Sequence, residues 1–262
     1  MTPLQKVALV MALATLAAGS ATAAVASSER TSASLDLQAR LGLTATLGGC
    51  PVVPEHADLC QVHTGAGAVS GLGAVTESYP LAFNRGFPLC PPDYDQAFGT
   101  SVSFIVAGKG EINFALAANE CIWRLDYAGK FKQAYTITGG TGVYAGASGT
   151  GTVGRLFNDI GTQGIETWTG TLSVPGLEFD VTRPTLTGAT KKTVKARRGA
   201  KSARVVFRVT ATDNRDGTVP VVCSPRSGTA FPIGRTRVTC SATDSSANTT
   251  TASFTVTVQR RR

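Results

Sequence analysis

The sequence predicts an all-β protein of two modules, a barrel-like one followed by a smaller sandwich. Short runs of alternating apolar and polar residues recur along the chain, and long amphipathic helical patterns are absent. Glycine, at 29 of 262 residues, separates many of these runs. Charge also divides the chain. Residues 1–182 carry nine Lys+Arg against fourteen Asp+Glu, and residues 183–262 carry sixteen against three. The length allows two domains of ordinary size.

Residues 1–26 have the layout of a secretory signal peptide. Lys6 supplies the positive start and Val7 to Ala18 is almost unbroken apolar sequence. Ala21-Thr22-Ala23 and Ala24-Val25-Ala26 each offer a cleavage site. The apolar run is shorter than the roughly twenty residues of a membrane-spanning helix, and no later segment reaches that length. The expectation is an exported protein, secreted or held at the cell surface, with no transmembrane segment.

Residues 27–182 form the predicted barrel-like domain. Ser28 to Leu41 is the one stretch whose spacing hints at a helix. Strands are expected at Val102–Val106, Glu111–Leu116, Ile122–Tyr127, Phe131–Ile137 and Thr167–Val174. Between them lies ITGGTGVYAGASGTGTVG, from Ile137 to Gly154. Gly139, Gly140 and Gly142 let the chain reverse, with Tyr144 as a packing plug over the turn. This run resembles the glycine-rich hairpin of the allene-oxide-cyclase and dirigent type of β-barrel, and Trp168 to Leu172 (WTGTL) fits the closing strand of such proteins. The resemblance implies a barrel able to hold an apolar small molecule. An open cavity lined by Phe104, Phe114 and Trp168 would favour that use, and a filled interior would favour a scaffold. Gly140, Gly142 and Gly146 also imitate a dinucleotide fingerprint. A phosphate cradle needs a helix to follow, however, and Ser148 to Val153 is not helical in pattern.

Residues 183–262 form the predicted sandwich. Val205, Phe207, Val209 and Ala211 share one face. So do Val238, Cys240 and Ala242, and so do Ala252, Phe254, Val256 and Val258. Asp213 to Gly217 and Asp244 to Asn248 read as turns. Strands with one apolar face bury it by packing sheet on sheet. The run FPIGRTRVTCSATD, continued by SSANTTTASFTVTV, closely resembles the hyalin-repeat (HYR) family, with its FPxGxTxVTCxATDxxxN pattern and FTVTV ending. That resemblance implies an immunoglobulin-like fold in an extracellular setting, with adhesion rather than catalysis as the function.

All six cysteines, Cys50, Cys60, Cys90, Cys121, Cys223 and Cys240, lie beyond the signal segment, and an even count in an exported chain predicts disulfides. Cys223 and Cys240 fall in phase with inward residues and are expected to pair. The other four leave three connectivities open, and proximity in sequence favours Cys50 with Cys60 and Cys90 with Cys121. Cys50, His56, Cys60 and His63 have spacing compatible with a metal site, but oxidation in an exported chain favours disulfides.

No catalytic residue and no cofactor are assigned. The two histidines sit near one loop without a GxSxG elbow, which argues against a Ser-His-Asp hydrolase. Glu111, Asp126 and Glu166 lie on expected strands and read as surface charges, because buried unpaired carboxylates are costly. Asp213, Asn214 and Asp216 fail as a calcium loop, since Arg215 takes a position that needs a ligand. Asn248-Thr249-Thr250 is a formal glycosylation acceptor. The basic run Lys191 to Arg204 makes Lys191, Lys192, Arg197 and Arg198 candidates for binding an anion. The favoured alternative is an edge strand guarded by charge. The expected partner is an extracellular protein or an anionic cell-surface glycan or polymer. Nucleic acid is not expected, because no aromatics interleave the basic residues.

Overall fold

A computed structural model describes residues 31–261 apart from 49–56, 58, 86–93, 119, 124–131 and 158–162. The expected cleavage sites, Cys50, His56, Cys90 and Asp126 lie outside the described residues.

The N-terminal half contains β1 (Thr31–Ser32), β2 (Ser34–Leu47), β3 (Leu59–Val69), β4 (Gly73–Arg85), β5 (Tyr94–Ala97) and β6 (Ser101–Val106). These are followed by β7 (Gly110–Leu116), β8 (Glu120–Trp123), β9 (Lys132–Gly140), β10 (Gly149–Phe157), β11 (Gln163–Ser173) and β12 (Phe179–Asp180). Strands pair in the order β3-β2-β11-β10-β9-β7-β6-β4, and β4 returns to β3, closing an eight-stranded antiparallel barrel. Strands β5 and β8 hang from the far end of β4.

The hint of helix before Leu41 is wrong. Leu35, Leu37, Ala39, Leu41, Leu43 and Ala45 alternate inward along β2, a period of two that only a strand can place on one face. The glycine hairpin is as expected in its main features. A short 3-10 turn spans Gly142–Tyr144, Tyr144 is buried, and β10 rather than a helix follows. Gly149 has φ of +151°, and a Cβ there would fall on the Thr171 carbonyl oxygen.

The interior is filled at the level of Trp168. Phe104, Phe114, Tyr135 and Trp168 pack with ring centroids 4.6–5.2 Å apart. No space for an apolar ligand separates these rings.

The C-terminal module comprises β13 (Thr185–Thr187), β14 (Lys192–Lys195), β15 (Ser202–Arg204), β16 (Thr210–Asp213) and β17 (Gly217–Val219). It continues with β18 (Val221–Ser224), β19 (Ala230–Pro232), β20 (Gly234–Thr243) and β21 (Thr249–Gln259). One sheet has the order β14-β21-β20-β18, and β13-β16-β17 and β15-β19 form the others. Val205, Phe207 and Phe231 pack against Val238, Phe254, Val256 and Val258 in one core, with Phe207 and Phe254 edge to face at 5.0 Å. Phe207 and Ala211 are inward as expected, but they do not share a continuous strand, because the chain leaves β15 and joins a different sheet at β16. Cys223 and Cys240 are bonded, and they are direct partners on neighbouring strands of one sheet.

The two modules touch. Gly71 N donates to Ser246 O at 2.7 Å, and Ser70 Oγ donates to Asn248 Oδ1 at 2.5 Å. Asn248 Nδ2 in turn donates to Asp180 O at 2.9 Å. Asn248, noted in sequence only as a glycosylation acceptor, is therefore 2% exposed and serves the junction.

Candidate functional site

Two places concentrate chemistry, one inside the barrel and one at the free end of the C-terminal module. Strand direction fixes both. The turns after β3, β6 and β9 and the end of β11 lie at the barrel pole that meets the C-terminal module. The start of β9, the end of β10 and the start of β11 lie toward the other pole. Their inward residues there are Gln133, Arg155 and Glu166, and β3 and β4 add His63, Glu77 and Tyr79. A polar layer therefore sits on the aromatic one.

The reading of Glu166 as a surface charge is overturned, since it is 0% exposed. Its register partner Arg155 explains why burial is tolerated: Arg155 Nε lies 2.6 Å from Glu166 Oε1. Tyr79 donates to Glu166, and Arg155 Nε and Nη2 donate to Tyr79 Oη at 3.0 and 2.8 Å. Trp168 Nε1 donates to Glu166 Oε2 at 3.2 Å. Arg155 Nη1 donates to Gln133 Oε1, and Gln133 Nε2 donates to the Ala117 carbonyl. Glu111, by contrast, is half-buried and its backbone N–H bonds Thr141 Oγ1.

Electrostatics holds this layer close to neutral. Burial pushes the Glu77 carboxyl up to about 11, with the Glu166 carboxylate adding to the effect. Burial would raise Glu166 as well, but the Arg155 guanidinium outweighs it and holds Glu166 below the usual range. Burial, then Arg155, lowers His63 to about 3. At neutral pH the layer holds one carboxylate, one guanidinium, a neutral acid and a neutral imidazole. Among the described residues, the buried Glu77 oxygens have no well-aligned hydrogen-bond partner, although the Glu166 carboxyl lies near enough to couple to them. Gly65, opposite Glu77 in register, leaves the space its carboxyl occupies.

His63 hydrogen-bonds Tyr79 Oη and Gln61 Oε1, both at 3.3 Å, and Cys60 is disulfide-bonded. Cys60 is thus spent on a disulfide and His63 on buried hydrogen bonds, while Cys50 and His56, the other two members of the candidate metal set, lie outside the described residues. Near the junction, Asp180, Asp213 and Asp244 bring carboxylate oxygens within 4.8 Å of one another. Asp213 Oδ1 accepts from Arg215 N and Asp216 N, as a turn residue does.

The anion-binding candidates lie on the C-terminal module. Strand β14 is an edge strand paired parallel to β21, with Lys192 opposite Val256 and Lys195 opposite Gln259. Lys191, Lys192, Arg197 and Arg198 are all exposed. Lys191 and Lys192 sit at the start of β14, and Arg197 and Arg198 lie beyond its end. What sequence reading missed is that the parallel pairing carries Arg260 and Arg261 alongside Lys195 and Arg197. Those four cations line a cleft of about 800 Å³ with Ala196 and Gln259.

With this geometry in hand, residues 179–258 match the HYR domain family, so the C-terminal module is an HYR domain. No curated protein matches the chain. Among solved structures, the M60 catalytic domain with the CBM51-1 and CBM51-2 domains from Clostridium perfringens ZmpB aligns at 13% identity. That alignment covers 83% of this chain and 28% of the other, with a TM-score of 0.21. The chain spans little more than a quarter of that structure, and so loose a superposition bears on neither fold nor function. Among the described residues, no helix is long and apolar enough to cross a membrane.

Proposed function

We propose that the protein is an exported, non-catalytic binding protein that acts at the cell exterior through its HYR domain. In this reading residues 1–26 are removed on export, residues 27–182 form the barrel module and residues 183–262 the binding module. The observation that carries it is an HYR domain joined to a barrel whose described interior is packed with side chains rather than open. The Tyr79–Arg155–Glu166 network supports the same view, because its donors and acceptors are spent on one another. The barrel is then a rigid support for the module that makes contact. The partner is an extracellular protein or an anionic cell-surface polymer. The test is to incubate the mature protein with intact cells and measure the bound fraction. Retention that is lost when the HYR domain is exchanged for an unrelated sandwich supports the reading. Retention unchanged by that exchange refutes it.

A further inference from the structure

The charges of the HYR domain are separated along its length. Its three acids, Asp213, Asp216 and Asp244, all lie at the pole facing the barrel, where Asp216 holds Ser245 N and Oγ. Strand β21 runs from this pole at Thr249 to the free pole at Gln259. Its ten residue steps span about 34 Å, roughly four times the Debye length of about 8 Å at physiological salt. The acids therefore screen nothing at the free pole. Strand β14 runs parallel to β21 and ends beside it, and Ala196 N donates to Gln259 O at 2.9 Å, so both chains leave the sheet together. Each brings two cations to this end: Lys195, the last residue of β14, and Arg197 on one, and Arg260 and Arg261 just past β21 on the other. Arg235 and Lys201 lie at the same pole, since Arg235 pairs with Thr257 and Lys201 O accepts from Ile233 N. Among the described residues, none of the four lining cations has an ion-pair partner. An edge strand needs charge on its flank to deter pairing, but that does not explain two chains bringing unpaired cations together around a cleft.

We propose that this cleft is the contact site for an acidic polysaccharide, whose anionic groups lie between Lys195 and Arg197 on one side and Arg260 and Arg261 on the other. Arginine forks suit planar carboxylates and phosphates. Among the described residues, no aromatic side chain lines the cleft, so charge rather than stacking on sugar or base faces does the recognising. This deepens the proposed function and rests on it.

The test compares the mature protein with two variants of equal net charge. One is Lys195→Gln/Arg197→Gln/Arg260→Gln/Arg261→Gln. The other removes four exposed arginines outside the cleft: Arg183→Gln/Arg208→Gln/Arg226→Gln/Arg237→Gln. The probes are immobilised polygalacturonate for carboxylates, teichoic acid for phosphodiesters, neutral dextran, and single-stranded DNA. The cleft variant is expected to bind one or both acidic glycans about tenfold or more weakly at low salt. Its slope of log K against log salt should fall by about three to four, one per lost contact. The control variant should keep most of its affinity. Equal losses in both variants would reduce the effect to net charge and overturn the site, as would unchanged binding in the cleft variant or preference for DNA over both glycans. Intact cells separate this outcome from failure of the broader reading. If the wild-type protein binds cells and the cleft variant binds them equally, only the cleft is wrong. If the wild type does not bind cells, the functional reading itself falls.

Discussion

Replacing Glu77 by Gln should change how stability depends on pH. The Glu77 carboxyl is 4% exposed and pushed up to about 11 from an ordinary 4.5, so the folded protein holds a proton that the unfolded chain releases. For a raised carboxyl, this contribution is complete below the unfolded value and is lost as pH climbs toward the folded one. In that window each pH unit lowers stability by about 1.4 kcal/mol. Between pH 6 and 9 the group removes about 4 kcal/mol. Gln is uncharged at every pH and close in shape, so Glu77→Gln should match the wild type near pH 5 and exceed it progressively above pH 7. The assay is urea unfolding across pH 5–9, followed by tryptophan fluorescence, to which the fully buried Trp168 contributes. Parallel wild-type and variant curves, or a variant that loses stability faster as pH rises, would refute the assignment of Glu77 as a buried neutral acid.

Further expectations follow from other contacts. Arg155→Met leaves the Glu166 carboxylate without its cation and should cost about 3–5 kcal/mol, with the double variant Arg155→Met/Glu166→Gln recovering part of that loss in the same unfolding assay. His63 is held near 3, so protonation opposes folding, and stability should fall as pH drops from about 6.5 toward 3. His63→Gln should remove that part of the acid sensitivity. Cys223→Ala/Cys240→Ala opens a short loop and should cost about 2–4 kcal/mol by thermal or urea unfolding. Gly149→Ala combines a strained φ with a backbone clash and should cost more than about 2 kcal/mol.

How far the sequence was legible depended on whether the information was local. The HYR strands announced themselves, because each buries one face and the motif that joins them is contiguous. The glycine hairpin was legible for the same reason, since Gly142 and Gly149 carry a backbone requirement visible in the letters. The barrel polar layer was not. Glu166 looks like a surface carboxylate until Arg155 is known to be its register partner, and Tyr79 approaches both from a strand some eighty residues away in sequence. The run Ile165-Glu166-Thr167-Trp168 held the available signal, because a residue two places from an inward Trp168 must also face inward. The basic cleft was half legible. Lys195 and Arg197 lie within a run that draws attention, but Arg260 and Arg261 join them only through a parallel pairing that no local pattern reveals.

Salt titration of cell binding tests the central claim most directly. Mature wild-type protein, incubated with intact cells at increasing sodium chloride, is expected to be retained at about 50 mM salt and released steeply well before 500 mM, with log K falling linearly in log salt, because screened and exchanged counterions set the affinity. Absence of retention at the lowest salt, or retention that does not change with salt, would contradict an exterior binding protein that works through its positively charged HYR domain.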